Sequence, residues 1–147
     1  MNEQLHKDIE TDVRECGRSV LCIGGEEDLP PFAYTIGNSL VDLPELLIIG
    51  TREGALLNDL SEKMLDRGRA FDDGELVNLG GKFPVKIITT NDVRAQSEFT
   101  IQAGQFLDRE DYVVQQVLVP DRSGRYPDDP RCQEPFSSFP VLRTLPH

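Results

Sequence analysis

The chain has 147 residues, of which 38% are hydrophobic and 28% are charged. These proportions are typical of a globular protein, and the length suits a single domain (1–147) with room for a hydrophobic core. The formal net charge of -11 repels phosphate backbones, so it argues against general nucleic-acid binding. The same charge favours association with a basic protein, although it is also a charge that simply keeps a protein soluble.

The first residues and the apolar runs bear on where the protein is found. The start, MNEQLHKDIETD, lacks the basic segment and the apolar segment of an export signal. Apolar runs such as LLII are too short to span a bilayer. We therefore expect a cytoplasmic protein without membrane segments, in which Cys16, Cys22 and Cys132 are free thiols.

Apolar spacing predicts a first helix followed by three strands. Leu5, Ile9, Val13 and Cys16 recur on one helical face, and Gly17 is a suitable stop, so an N-terminal helix is expected within 1–17. The short runs SVLCIGG, FAYTIG and ELLIIG then predict strands. The last of them is a continuous apolar run after its first residue, as expected of a strand buried on both faces.

The second half of the chain predicts two more helices and three more strands. A helix capped by Thr51 runs to Gly68, and ELVNL and FPVKI are expected to form a hairpin. A third helix, capped at Asn91-Asp92, precedes the strand YVVQQVLVP and an irregular, Pro-rich tail over 127–147. The element order favours an α+β domain with about three helices on a mostly antiparallel sheet, with a small split barrel as a variant.

The sequence excludes several common chemistries. Histidine occurs only at His6 and His147, so a metal site built on imidazoles is not expected, and no metal site is predicted. The chain contains no G-x-S-x-G elbow, no Walker loop and no G-x-G-x-x-G run. Whether the protein is an enzyme stays open at this level.

Two neighbouring segments carry a candidate anion site. Thr35, Asn38 and Ser39 follow one predicted strand, and Thr51 and Arg52 stand where the next strand enters a helix. The N–H groups of a helix N-terminus, together with an arginine, suit a phosphate or a carboxylate. These five residues therefore predict a cofactor-binding site, provided that the two segments meet. The alternative is that the threonine before the helix is only a cap and that the polar stretch only turns the chain.

A second candidate site is the stretch PDRSGRYP. Arg122 and Arg125 flank a tight turn beside Tyr126, and two guanidinium groups around a rigid loop can hold an anion or a partner's carboxylate. The alternative is a surface turn whose arginines pair with the neighbouring aspartates.

Several blocks carry a family resemblance. PPFAYTIG, LPELLIIG, ALLNDL, GKFPVK and VLVPDRSGRYPDDP resemble, in this order, the blocks of a bacterial family catalogued as domain of unknown function 4262, over about residues 19–142. That family has no established activity, so the resemblance implies no mechanism. The chain departs from the family pattern at Asp128, where a large aromatic residue is usual, and in having no Trp.

A weaker resemblance is to flavin reductase-like split barrels. The succession PFAYTIGNS, PELLIIG and TREGALLNDL is similar to the strand, strand and helix that hold the phosphate of flavin mononucleotide (FMN) in that family. The resemblance implies that Thr35, Ser39, Thr51 and Arg52 grip the phosphate. The family's Thr-x-Ser-Ser run is reduced here, with Asn38 before the serine.

These observations lead to two hypotheses of function. The first is a domain that binds a phosphorylated small ligand such as FMN, with an oxidoreductase as one form of it. The second is a non-catalytic, inhibitor-type or immunity-type protein whose acidic surface binds a basic partner. Either hypothesis allows a homodimer.

Overall fold

The computed structural model describes residues 1–25, 30–51 and 53–143. Within these ranges the chain forms four α-helices and six β-strands. They are α1 (Glu3–Cys16), β1 (Ser19–Ile23), β2 (Phe32–Ile36), β3 (Glu45–Ile49), α2 (Gly54–Arg67), β4 (Glu75–Val77), β5 (Val85–Thr89), α3 (Val93–Phe99), α4 (Ile101–Leu107) and β6 (Val114–Leu118). No helix in the described ranges has both the length and the apolar character needed to cross a bilayer.

The six strands form one sheet in the order β1-β2-β3-β6-β5-β4. β3 and β6 run parallel, and every other neighbouring pair is antiparallel. The predicted α+β class and the mostly antiparallel sheet are therefore confirmed. The barrel variant is wrong, because β1 and β4 lie at opposite edges and do not close the sheet.

The two faces of the sheet pack against different helices. Leu46 and Ile48 point to the face covered by α2, where they join a core cluster that includes Leu57. Leu47, between them, points to the opposite face and joins a cluster that includes Ile9 of α1. All five residues of β3 are buried, which explains why this strand is a continuous apolar run after its first residue.

The first helix begins and ends where its sequence predicts. The side chain of Asn2 accepts the backbone N–H of Leu5 at 2.7 Å and so caps α1. Gly17 ends the helix in the left-handed conformation, with φ 87°. By contrast, α2 begins at Gly54, three residues after Thr51, so the threonine does not cap it; the Thr51 hydroxyl accepts the N–H of Glu53 instead.

The third predicted helix is divided into α3 and α4. Thr100 leaves the helical conformation, with φ -114° and ψ 39°. Its hydroxyl donates to the carbonyl of Gln96 at 2.8 Å and lies 2.6 Å from the hydroxyl of Tyr112. The helix count in the described ranges is therefore four instead of about three, because these buried hydrogen bonds compete with the helical ones.

The Pro-rich tail packs on the face of the sheet that α1 also covers. Gln116 of β6 donates to the carbonyl of Pro140 and accepts the N–H of Leu142, both at 2.8 Å. The ring of Phe139 lies so close to Gly50 that a Cβ at that glycine would come within 2.5 Å of it. Between 127 and 143 the tail forms one 3₁₀ turn and no strand, as predicted, and its remaining residues, 144–147, lie outside the described ranges.

Candidate functional site

Three of the predicted ligand-binding residues surround a carboxylate of the chain itself. Thr35, Asn38 and Ser39 lie at the corner between β2 and β3, where Glu45 is fully buried. The carboxylate of Glu45 accepts the hydroxyls of Thr35 at 2.8 Å and Ser39 at 2.7 Å. It also accepts the backbone N–H groups of Gly37, Asn38 and Ser39 at 3.0–3.1 Å. The donors at this corner therefore form a cradle around a carboxylate that belongs to the chain itself.

The side chain of Asn38 connects this cradle to α2. Its Nδ2 donates to the hydroxyl of Ser61 at 3.0 Å, and its Oδ1 accepts Nε of the buried Arg18 at 3.2 Å. Arg18 in turn donates to Asn58 at 3.3 Å and to Glu62 at 2.8 Å. The corner is thus a network that joins β2, β3 and α2, and a ligand role for its three predicted residues stays a prediction.

Thr51 lies at the other end of β3. The N–H of Gly50 donates to the carbonyl of Pro31 at 2.7 Å, so Thr51 is next to the start of β2. Thr35 is four residues further along β2, which corresponds to about 13 Å. The expectation that the two segments bring their hydroxyls together is therefore wrong. β2 and β3 are antiparallel, so their carboxyl ends lie at opposite ends of the strand pair. Arg52, the last of the predicted set, lies outside the described residues.

The second predicted site, the turn after β6, is organised by the buried Asp121. Its Oδ1 accepts the backbone N–H groups of Ser123 at 2.8 Å and Arg125 at 2.9 Å, and its Oδ2 accepts that of Gln133 at 2.9 Å. These donors, above all the N–H of Arg125, hold the pKa of Asp121 below its ordinary value. We call this segment, residues 120–126, the Asp121 turn.

The three predicted residues of the Asp121 turn have different surroundings. The guanidinium of Arg125 donates to the carbonyl of Arg131 at 3.2 Å, and the hydroxyl of Tyr126 donates to the carbonyl of Pro84 at 2.7 Å. Arg122 is exposed, and among the described residues its side chain forms no ion pair or hydrogen bond. Of the three, Arg122 is therefore the residue whose charged group is available to a ligand.

A groove of about 770 Å³ opens beside this turn. Leu56 of α2, Lys82 and Phe83 before β5, Arg122, and Phe136 of the tail contribute to its walls, which are mostly apolar. The groove lies between the residues that follow β6 and the residues that precede β5. Its volume falls in the range of small-molecule sites.

One aromatic wall of the groove is fixed by a glycine. The ring of Phe83 packs directly on Gly124, where a Cβ would come within 2.8 Å of the ring, and Gly124 has a φ of 84°. The ammonium of Lys82 lies 5.3 Å from the centroid of the same ring. In the part of the chain that the structure describes, Lys82 forms no ion pair with a carboxylate. The groove therefore combines an immobilised aromatic ring with two cations, Lys82 and Arg122, that have no acidic partner within the described ranges.

Reasoning from the sequence identified Arg122 but missed the other groove residues. Lys82 and Phe83 are a basic and an aromatic residue side by side after a pair of glycines, in one of the blocks that carries the family resemblance. A basic residue next to an aromatic residue, directly after two glycines, could have marked this part of the site in the sequence. Phe136 lies in the Pro-rich tail, and nothing in the local sequence marks it as part of a site.

Residues capable of holding a metal ion are not clustered in the described ranges. No group of three or more His, Cys, Asp or Glu side chains within 1–25, 30–51 and 53–143 is arranged to coordinate one.

Comparison with known proteins supplies a family. Neither the search of curated proteins nor that of solved structures gave a significant match. A family model described as "Domain of unknown function (DUF4262)" matches residues 12–133. This segment contains all six strands and the whole Asp121 turn. The similarity to flavin reductase-like proteins stays a prediction, whereas the match over most of the chain shows that the protein belongs to the DUF4262 family.

Proposed function

We propose that the protein binds a small organic anion, such as the phosphorylated ligand FMN, in the groove beside the Asp121 turn. The observation that carries this proposal is the pair Lys82 and Arg122, which line one groove without an acidic partner among the described residues. Other described cations also lack an ion pair, but Lys82 and Arg122 line the same concave site. Two positive charges that converge on one groove support binding of an anion from outside.

Hydrogen bonds lower the pKa of both carboxylates that line the groove, so they stay charged and a ligand anion has to contact the cations directly. These carboxylates belong to Asp121 and Glu134, and Asp121 accepts three backbone N–H groups. Glu134 accepts the hydroxyls of Ser137 and Ser138. More distant carboxylates act weakly, because the Debye length at physiological ionic strength is about 8 Å. A ligand anion in direct contact with the two cations is therefore attracted more strongly than it is repelled.

The two cations suit different parts of an anionic group. Arg122 presents a planar fork that can donate two parallel hydrogen bonds to a phosphate or carboxylate, and Lys82 adds a compact positive charge. Both side chains are exposed, so salt is expected to weaken these interactions. This site replaces the grip first expected from Thr35 and Ser39, whose hydroxyls are bonded to Glu45. When bound, FMN would supply the redox chemistry of its ring, and the chain would supply position and charge.

The test is a titration of the protein with FMN, followed by flavin fluorescence at low ionic strength. Arg122→Gln keeps much of the shape of the side chain and removes its charge, so we expect affinity to fall about tenfold or more. Arg94→Gln is the matched control, because the side chain of Arg94 is 92% exposed on α3. The control is expected to bind like the wild type. Absence of FMN binding at millimolar concentration, or equal affinity of Arg122→Gln and the wild type, would overturn the proposal.

A further inference from the structure

We infer that the groove is selective for anions attached to a planar ring, so that it takes aryl phosphates and aryl carboxylates in preference to ring-free phosphates. This inference rests on the proposed anion site and names the class of ligand that fits it. It comes from a separate set of observations, which concern the aromatic and apolar walls instead of the two cations.

Both aromatic side chains of the groove are partly exposed and held in place. Phe83 packs on Gly124, which has no side chain to separate the ring from the backbone. Phe136 meets Phe139 edge to face, with centroids 6.0 Å apart and an angle of 88° between the rings. Phe139 is itself packed against Gly50. Ring surfaces that are fixed before binding lose little conformational entropy when a second ring contacts them.

The positive charge and the aromatic surface are close together. Lys82 Nζ is 5.3 Å from the centroid of Phe83, and Arg122 lines the same groove. A ligand whose anionic group is attached directly to a ring can therefore contact a cation and an aromatic wall at the same time. In FMN a ribityl chain separates the phosphate from the ring, so FMN makes both contacts only by ordering that chain.

The remaining walls offer little to a ring-free polyol phosphate. Leu56, Val85 and Val119 face the groove alongside the aromatic residues. Hydroxyls of a sugar or glycerol placed against such side chains lose their hydrogen bonds to water without replacement. A planar ring in the same position buries apolar surface instead. The walls thus favour a planar ring for two reasons. The ring buries apolar surface, whereas a polyol phosphate leaves hydroxyl groups without hydrogen bonds.

The inference is tested with two ligands that carry the same phosphate monoester, phenyl phosphate and glycerol 3-phosphate. Isothermal titration of the wild type is expected to show phenyl phosphate binding about tenfold more tightly or better. Phe83→Leu and Phe136→Leu keep an apolar side chain and remove the ring. Each is expected to weaken phenyl phosphate severalfold and to leave glycerol 3-phosphate unchanged.

The outcomes separate this inference from the proposed anion site. Equal binding of the two ligands, with both weakened by Arg122→Gln, would overturn the ring selectivity and leave the anion site standing. No binding of phenyl phosphate, glycerol 3-phosphate or FMN would overturn both. Circular dichroism checks that each variant is folded, and if Phe83→Leu does not fold, Phe136→Leu decides. Unchanged affinity of a folded Phe136→Leu for phenyl phosphate would then count against the ring contact.

Discussion

Replacement of Glu45 by glutamine tests the internal anion cradle. The two side chains have nearly the same shape, but the amide has one acceptor oxygen and one donor NH₂ group where the carboxylate has two acceptors. Every group that contacts the carboxylate in the cradle is a donor. Glu45→Gln therefore places an NH₂ group against N–H or O–H groups wherever it points, in a site with no exposure to water.

The magnitude follows from which oxygen is replaced. Oε2 accepts two backbone N–H groups, from Gly37 and Ser39, whereas Oε1 accepts one, from Asn38. The amide is therefore expected to place its NH₂ at the Oε1 position, where fewer backbone N–H groups lose their acceptor. One buried N–H then lacks an acceptor, which costs about 1–3 kcal/mol, and the remaining bonds lose the contribution of the charge. We expect the free energy of unfolding to fall by about 3 kcal/mol in total.

Urea denaturation followed by circular dichroism measures this loss. A domain of ordinary stability, about 5–15 kcal/mol, stays folded in water, with its midpoint lowered by roughly 1.5 M urea. Glu98→Gln is the matched control, because its side chain is 69% exposed and its ion pair on α3 is a surface pair. The control should change the free energy of unfolding by less than about 0.5 kcal/mol. If Glu45→Gln is as stable as this control, the carboxylate is not what holds the β2–β3 corner.

Two further predictions concern the Asp121 turn. Gly124→Ala should lower the free energy of unfolding by at least about 1 kcal/mol more than Gly74→Ala in the same urea assay, since overpacking adds to the backbone strain. The two glycines have nearly equal φ angles of 84° and 86°, but only at Gly124 would a Cβ approach the ring of Phe83; equal losses would refute that contact. Backbone N–H groups, above all that of Arg125, lower the pKa of Asp121. The charged form of Asp121 therefore stabilises the fold above about pH 4, and this stabilisation is lost as the pH falls through the lowered pKa. The urea midpoints of the wild type and Asp121→Asn should therefore converge as the pH falls from 5 to 2, in about the range where Asp titrates. A difference between the two midpoints that stays constant over this pH range would contradict the lowered pKa of Asp121.

The fold was largely accessible from local sequence patterns. The run ELLII predicted a buried strand, and the spacing of Leu5, Ile9 and Val13 predicted α1 with its end at Gly17. These features are local, because strand and helix periodicity are properties of neighbouring residues. The placement of β6 beside β3, parallel and between β3 and β5, depends on a long-range pairing that no local pattern encodes.

The candidate site was less accessible from the sequence, for three physical reasons. The sequence predicts that Thr35 and Thr51 meet, because each lies near the carboxyl end of a strand. The two strands are antiparallel, so their carboxyl ends lie at opposite ends of the pair. Glu45 looked like an ordinary polar residue before an apolar strand, and only the folded corner shows its five donors. Lys82 and Arg122 are forty residues apart in sequence, so their common groove emerges only once β5 and the turn after β6 are packed together.

The proposed groove site is tested most directly by amide chemical-shift mapping of ¹⁵N-labelled protein during titration with FMN. Binding in the groove predicts saturable shifts that are largest at Lys82, Phe83 and Arg122, with Thr35 and Ser39 nearly unchanged. Shifts centred on Thr35 and Ser39, or no saturable shift anywhere at millimolar FMN, would contradict it.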